Sequence, residues 1–164
     1  MSAVTHLARE PFARSPGNSP ADAPAARRRM RALECRVDGG TIALAVESVG
    51  QIVEYDVAPL PLARGAVRGL GLVDGRLVVS LGIGRPSRLE RRRTKGLLLR
   101  TAEASGHWAL EVLEVLSFVE TGAPSADEKG LCVVSTEDAR HVAWVDVEAL
   151  IAGAGEPFVE GARR

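Results

Sequence analysis

The sequence predicts a mainly β protein, and three observations carry that prediction. Short apolar runs alternate with polar residues at the period of a half-buried strand. Glycine pairs and an Asp-Gly dipeptide separate these runs as hairpin turns do. The second half of the chain also resembles the first, which suits two similar β-subdomains in one compact domain.

The chain has 164 residues, 46% hydrophobic and 26% charged, enough for one domain with a real core. Only 4% of residues are aromatic, so that core is built from Val, Leu, Ile and Ala. Residues 1–32 read as a disordered tail. Ser15-Pro16-Gly17-Asn18-Ser19-Pro20 and the Ala/Pro run to Ala26 cannot bury apolar surface. Arg27, Arg28, Arg29 and Arg31 close the tail as a solvated charge run.

The fold is expected over residues 33–152. Leu33, Cys35 and Val37 alternate with Glu34, Arg36 and Asp38, and Gly39-Gly40 turns the chain into a second strand over Thr41–Val46. Val46, Val49, Ile52 and Val53 follow at helical spacing, so a short helix is predicted over Glu47–Gln51. Pro59 and Pro61 impose an extended connection. Gly69–Val73 and Arg76–Leu81 flank Asp74-Gly75, the strongest short hairpin signal, because both turn residues can take positive φ. Residues 85–95 form an arginine-rich polar bridge, and Leu97–Leu99 resumes a strand.

Ala45-Val46-Glu47 then recurs as Ala109-Leu110-Glu111, and Gly69-Leu70 recurs as Gly130-Leu131 ahead of strands near 131–135 and 141–145. Asp146 caps a closing helix to Ile151, with Gly153 just past its end, and residues 153–164 form a flexible tail. Predicted core positions are Val37, Leu44, Val46, Val78, Leu98 and Val133. Ile52 is placed in the core too, while Val49 fits core and surface equally.

Several function classes lack their residues. Formal net charge is zero, whereas general nucleic-acid binders carry a basic excess. His6, His107 and His141 are scattered, and no Cys/His pair has metal-ligand spacing. No Gly-x-Ser-x-Gly elbow or Walker lysine loop occurs. Gly69-Leu70-Gly71 lacks the third glycine of a dinucleotide fingerprint, because Asp74 stands there. Glu47, Glu111 and Glu114 are read as a solvated helix face rather than acid/base catalysts. Trp108 and Trp144 are read as core or interface packing. Cys35 and Cys132 are read as reduced core thiols rather than a disulfide. No segment approaches the roughly 20 apolar residues of a membrane span, and the N-terminus lacks an apolar signal core. The expected location is the cytoplasm, with no cofactor or metal and no enzymatic activity.

Over residues 33–152 the ordered set of motifs resembles the CheW-like domain family. Leu33-x-Cys35-x-Val37-x-Gly39-Gly40 with Ile42–Val46 is similar to the family's opening hairpin, and Glu47-Ser48-Val49-Gly50-Gln51-Ile52-Val53 to its next segment. Pro59-Leu60-Pro61-Leu62 is similar to its proline loop, and Gly69–Leu81 to its central Gly-Val-x-Asn-Leu-Arg-Gly hairpin. Leu113-Glu114-Val115-Leu116, Gly130-Leu131 and Val145-Asp146-Val147 are similar to its later strands and final helix.

The resemblance implies two small SH3/OB-like five-stranded β-barrel subdomains with short helices. It implies a non-enzymatic adaptor binding a CheA-type histidine kinase and the cytoplasmic domain of methyl-accepting chemoreceptors. The partner-binding residues it implies are Val49, Gln51, Val53, Gly69, Leu72, Val73, Asp74 and Arg76. Three departures from the family pattern stand out. Leu72-Val73-Asp74-Gly75 replaces Asn-Leu-Arg-Gly, Gly82 stands where an acid is usual, and Leu110 stands where an Asp is usual. Two other readings compete: a small nucleic-acid-binding barrel using Arg27–Arg31 and Arg85–Arg93, with salt-dependent binding as its signature, and an enzyme with an unrecognised polar cluster.

Overall fold

The computed structural model describes residues 29–61, 63, 65–84, 90–102, 105–124 and 131–154. The described residues form ten strands and one short α-helix. The strands are β1 (Arg29–Val37), β2 (Gly40–Ala45), β3 (Val49–Pro59), β4 (Val67–Val73), β5 (Arg76–Leu81), β6 (Arg92–Leu99), β7 (Trp108–Val112), β8 (Glu114–Gly122), β9 (Leu131–Ser135) and β10 (His141–Val145). The helix is α1 (Val147–Ala152). Mainly β architecture was legible from the alternation.

The strands form two five-stranded units. β3-β4-β5-β7-β6 close into a barrel, and β8-β1-β2-β10-β9 form a second sheet. The second sheet is not closed by a ladder: among the described residues its two edge strands are joined by one bridge, between Thr121 and Thr136. Both units have the same strand pattern: a hairpin, then one parallel pairing (β5 with β7, β2 with β10), then an antiparallel partner. The chain crosses between units twice, from β2 to β3 and from β7 to β8. The second sheet is therefore assembled from two separated stretches of sequence, β1–β2 and β8–β10, whereas the barrel takes β3 to β7 in one run. The repeat Ala45-Val46-Glu47 and Ala109-Leu110-Glu111 marks the two approaches to these crossings.

The core lies between the units. Leu33, Cys35 and Leu44 of the second sheet meet Leu81, Leu97 and Leu110 of the barrel, and Val147 and Ile151 of α1 close one side. Each unit also has its own interior: Val53, Tyr55, Val57, Val73, Val78 and Ala109 in the barrel, and Ala32, Ala43, Val134, Val142 and Trp144 in the second sheet. Val37, Leu44 and Val78 are buried as predicted. Val46 and Leu98 are half-buried against these clusters.

Several expectations are corrected. β1 includes residues placed in the tail: Arg29–Ala32 extend it along β8 ahead of Leu33, and Ala32 is fully buried. Residues 1–28, the rest of the predicted tail, lie outside the described residues. Segment 47–51 is not a helix: a single 3-10 turn, Val46–Ser48, makes the crossing, and β3 begins at Val49. β-branched residues and a strand partner in β6 override the helical spacing. The polar bridge 85–95 ends earlier than predicted, since β6 starts at Arg92; residues 85–89 lie outside the described set. Val133 is 67% exposed and Ile52 49% exposed, each on the outward phase of its strand. Apolar character alone does not say which face of a strand is covered. Ala154, placed in the C-terminal tail, packs in the central core; residues 155–164 lie outside the described set.

Two local signals read from sequence are realised in detail. Asp74 and Gly75 have φ of 50° and 75°, and Val73 pairs with Arg76, so the two-residue turn has both central residues left-handed. Asp146 caps α1, its side chain accepting from the Ala149 amide at 3.1 Å. Cys35 is a buried thiol and Cys132 is half-buried, and the two are not joined in a disulfide.

Candidate functional site

The closed barrel has two unlike ends. At one, an ion pair plugs it. Arg92, the first residue of β6, donates from Nη2 to both Glu111 carboxylate oxygens at 2.6 Å. Ser80 Oγ donates to Glu111 Oε1 at 2.6 Å, and Tyr55 Oη lies 2.8 Å from Ser80 Oγ. Burial pushes the Tyr55 hydroxyl up to about 12, so it stays protonated and donates to Ser80, which donates to Glu111. Arg68, nearly buried, donates to the carbonyls of Gly84 at 2.8 Å and Gly65 at 3.3 Å beside this cluster. Burial lowers its pKa, while the Glu111 carboxylate opposes that shift.

Glu111 is therefore not on a solvated helix face. It lies on the inward phase of β7 and is committed to structural hydrogen bonds. Sequence signals for the cluster existed in Tyr55 and Ser80, polar groups on inward positions of apolar strands, but nothing in the sequence pairs them.

The other end is an open mouth of about 410 Å3. It gathers the start of β3, the end of β6, the β4–β5 turn and the start of β7. Val73, Val78 and Leu98 form an apolar floor continuous with the barrel interior. Gln51, Asp74, Arg76, His107 and Trp108 stand around it. Among the described residues neither Asp74 nor Arg76 is in an ion pair. Beside the mouth, Leu72 and Leu77 face each other across the hairpin and are 64% and 61% exposed.

Of the eight expected partner-binding residues, four line this mouth: Gln51, Val73, Asp74 and Arg76. Leu72 is on the adjoining outer face. Val49 is half-buried against the central core, at the crossing between units. Val53 is corrected to a barrel-interior residue, because its position in β3 points inward with Tyr55 and Val57. Gly69 is also buried rather than presented to partners. A Cβ there would drive into the Ala58 carbonyl and lie 2.7 Å from Val57 Cγ1, so the glycine lets β4 approach β3. Sequence reasoning missed Leu98, His107 and Trp108 at the mouth. Trp108 is far in sequence from the hairpin and reaches it only because β7 runs parallel beside β5.

Five of the ten described arginines, Arg29, Arg36, Arg92, Arg93 and Arg140, pair with carboxylates. Arg36 pairs with Glu114, Arg93 with Glu54 at 3.4 Å, and Arg29 with Glu137 at 3.0 Å. Among the described residues, no group of three His, Cys, Asp or Glu side chains could hold a metal ion, and no helix is long and apolar enough to cross a membrane. No family model matches the chain, and no curated protein is significantly similar to it.

Proposed function

We propose that this chain is a non-enzymatic protein-binding module whose docking surface is the open mouth of the closed barrel. More specifically, we propose a CheW-like adaptor that couples methyl-accepting chemoreceptors to a CheA-type histidine kinase. The observation that carries the reading is the mouth itself: an apolar floor, an acid and a base on its rim with no ion-pair partner among the described residues, and two exposed leucines beside it. Such an arrangement offers a partner a desolvated anchor point with charged groups to fix its orientation. The two-unit β architecture, expected from the motif resemblance, supports the same reading. The buried polar cluster at the opposite end serves as a plug that leaves one end for binding.

An adaptor of this kind acts by holding partners together, which is avidity rather than catalysis. Its individual contacts are modest. Titrating the full chain with the regulatory domain of a CheA-type kinase, and separately with a receptor cytoplasmic domain, should give saturable binding at about tens of micromolar. Absence of binding to both in that range contradicts the adaptor reading.

A further inference from the structure

We propose that the turn Thr136–Arg140 is a latch on the second sheet, and that the seam it closes, between β8 and β9, opens locally while the barrel stays shut. This inference is independent of the adaptor reading. The barrel's own closing pair, β3 with β6, runs from Val49–Leu99 to Val57–Arg92. Among the described residues, the corresponding seam of the second sheet has one bridge, Thr121–Thr136, and one further main-chain bond, from the Glu137 amide to the Glu120 carbonyl at 3.0 Å.

Side chains supply what the ladder does not. Glu34 points into the second unit with its side chain only 5% exposed. Arg140 reaches in from the turn and donates to both its carboxylate oxygens, at 2.9 and 3.3 Å, while Ser117 donates at 3.3 Å. The same guanidinium holds Asp138 at 2.6 Å, and Thr136 bonds Asp138 and the Arg140 main chain. A buried carboxylate needs its cation, so the turn is held shut through Glu34.

Three features mark this seam as the weak point. Ala139 is held left-handed, at φ 62°, where a side chain is disfavoured. The Thr121 hydroxyl is buried with no hydrogen-bond partner among the described residues. A groove of about 450 Å3 already runs along the seam, beside the exposed ring of Phe118. Swinging Arg140 outward frees the turn, parts β9 from β8 and bares the interior around Val119 and Trp144.

Hydrogen–deuterium exchange of the full chain, followed by mass spectrometry, tests this. In the wild type, amides of 114–122 and 131–136 should exchange through openings that low denaturant hardly accelerates, ahead of the β3–β7 amides. Arg140→Met should speed exchange in those two segments at least tenfold and leave β3–β7 unchanged. Wild-type seam amides that exchange only with the whole molecule overturn the latch. So does acceleration by Arg140→Met spread evenly over both units, or none at all. Should Arg140→Met fail to fold, the wild-type exchange pattern alone decides.

Discussion

Tyr55 is seated between two glycines, and its surroundings are specific to its ring. A Cβ on Gly96 would lie 2.7 Å from Tyr55 Cε1, and one on Gly71 would collide with the opposite edge. The ring fills the barrel because those positions have no side chain. Its hydroxyl is pushed up to about 12, chiefly by burial, and burial likewise pushes the Cys35 thiol from about 9 to about 11. Both groups hold their protons more tightly folded than unfolded. Their contribution is complete below the unfolded pKa values and is lost as pH rises through the folded ones. Thermal stability should therefore fall between pH 9 and 12. Tyr55→Phe together with Cys35→Ala should flatten that fall, as scanning calorimetry across the window would show; an unaltered slope would mean other groups titrate. Val78 is a simpler case. It is 1% exposed inside the barrel, and Val78→Asp buries an unpaired carboxylate there. The variant should lose at least about 3 kcal/mol, a large share of the roughly 5–15 typical of a domain. Chemical denaturation of a soluble variant at wild-type stability would refute the inward assignment.

At the scale of elements, β1 shows what a tail boundary drawn from composition misses. Arg29–Ala32 read as the end of a charge run, yet Ala32 lies opposite both Ala45 of β2 and Val119 of β8. Met30 packs on the second unit's interior, and Arg29 pairs across the seam with Glu137. A chain beginning at Arg29 should melt at least several degrees above one beginning at Leu33, because a ΔΔG of about 1 kcal/mol already moves a midpoint by roughly 2–8 °C. Equal midpoints would show these four residues add nothing to the sheet. The β4–β5 hairpin was legible for a local reason: Asp-Gly encodes its turn without reference to anything distant. The same holds for the Asp146 cap. The 46–53 segment was misread because helical spacing of four apolar residues is also what a strand shows when one face meets the core and a bend intervenes. Val49 packs on the central core, Val53 fills the barrel and Ile52 faces outward. Such a division depends on two different burial surfaces, and no local pattern reports both.

At the scale of the whole molecule, the chain's two crossings make one protein of two units. Because β1 and β2 sit in a different unit from β3 to β7, the central core is shared, with Leu33 and Leu44 on one side and Leu97 and Leu110 on the other. The mainly β class and the twofold organisation were readable from alternation and repeat. The incomplete closure of the second sheet was not, since it depends on which strand edges meet. The candidate site was half readable. The turn residues Asp74 and Arg76 were placed by their hairpin, whereas Trp108 joins them only through the parallel pairing of β5 with β7. The proposed docking role of the barrel mouth gives Asp74 a part in selecting what the mouth accepts. Asp74 places a carboxylate where the resembled family presents a guanidinium, and against an unchanged partner surface that carboxylate repels. Calorimetric titration of a CheA-type kinase regulatory domain with wild type, Asp74→Asn and Asp74→Arg tests this directly. Asp74→Asn keeps the left-handed turn preference and removes the charge. Asp74→Arg restores the donor fork at a cost of about 1–2 kcal/mol in the turn, measurable by melting. Affinity should rise from wild type to Asp74→Asn and again to Asp74→Arg; equal affinity for all three would contradict a docking role for the mouth and leave Asp74 a residue of the turn alone.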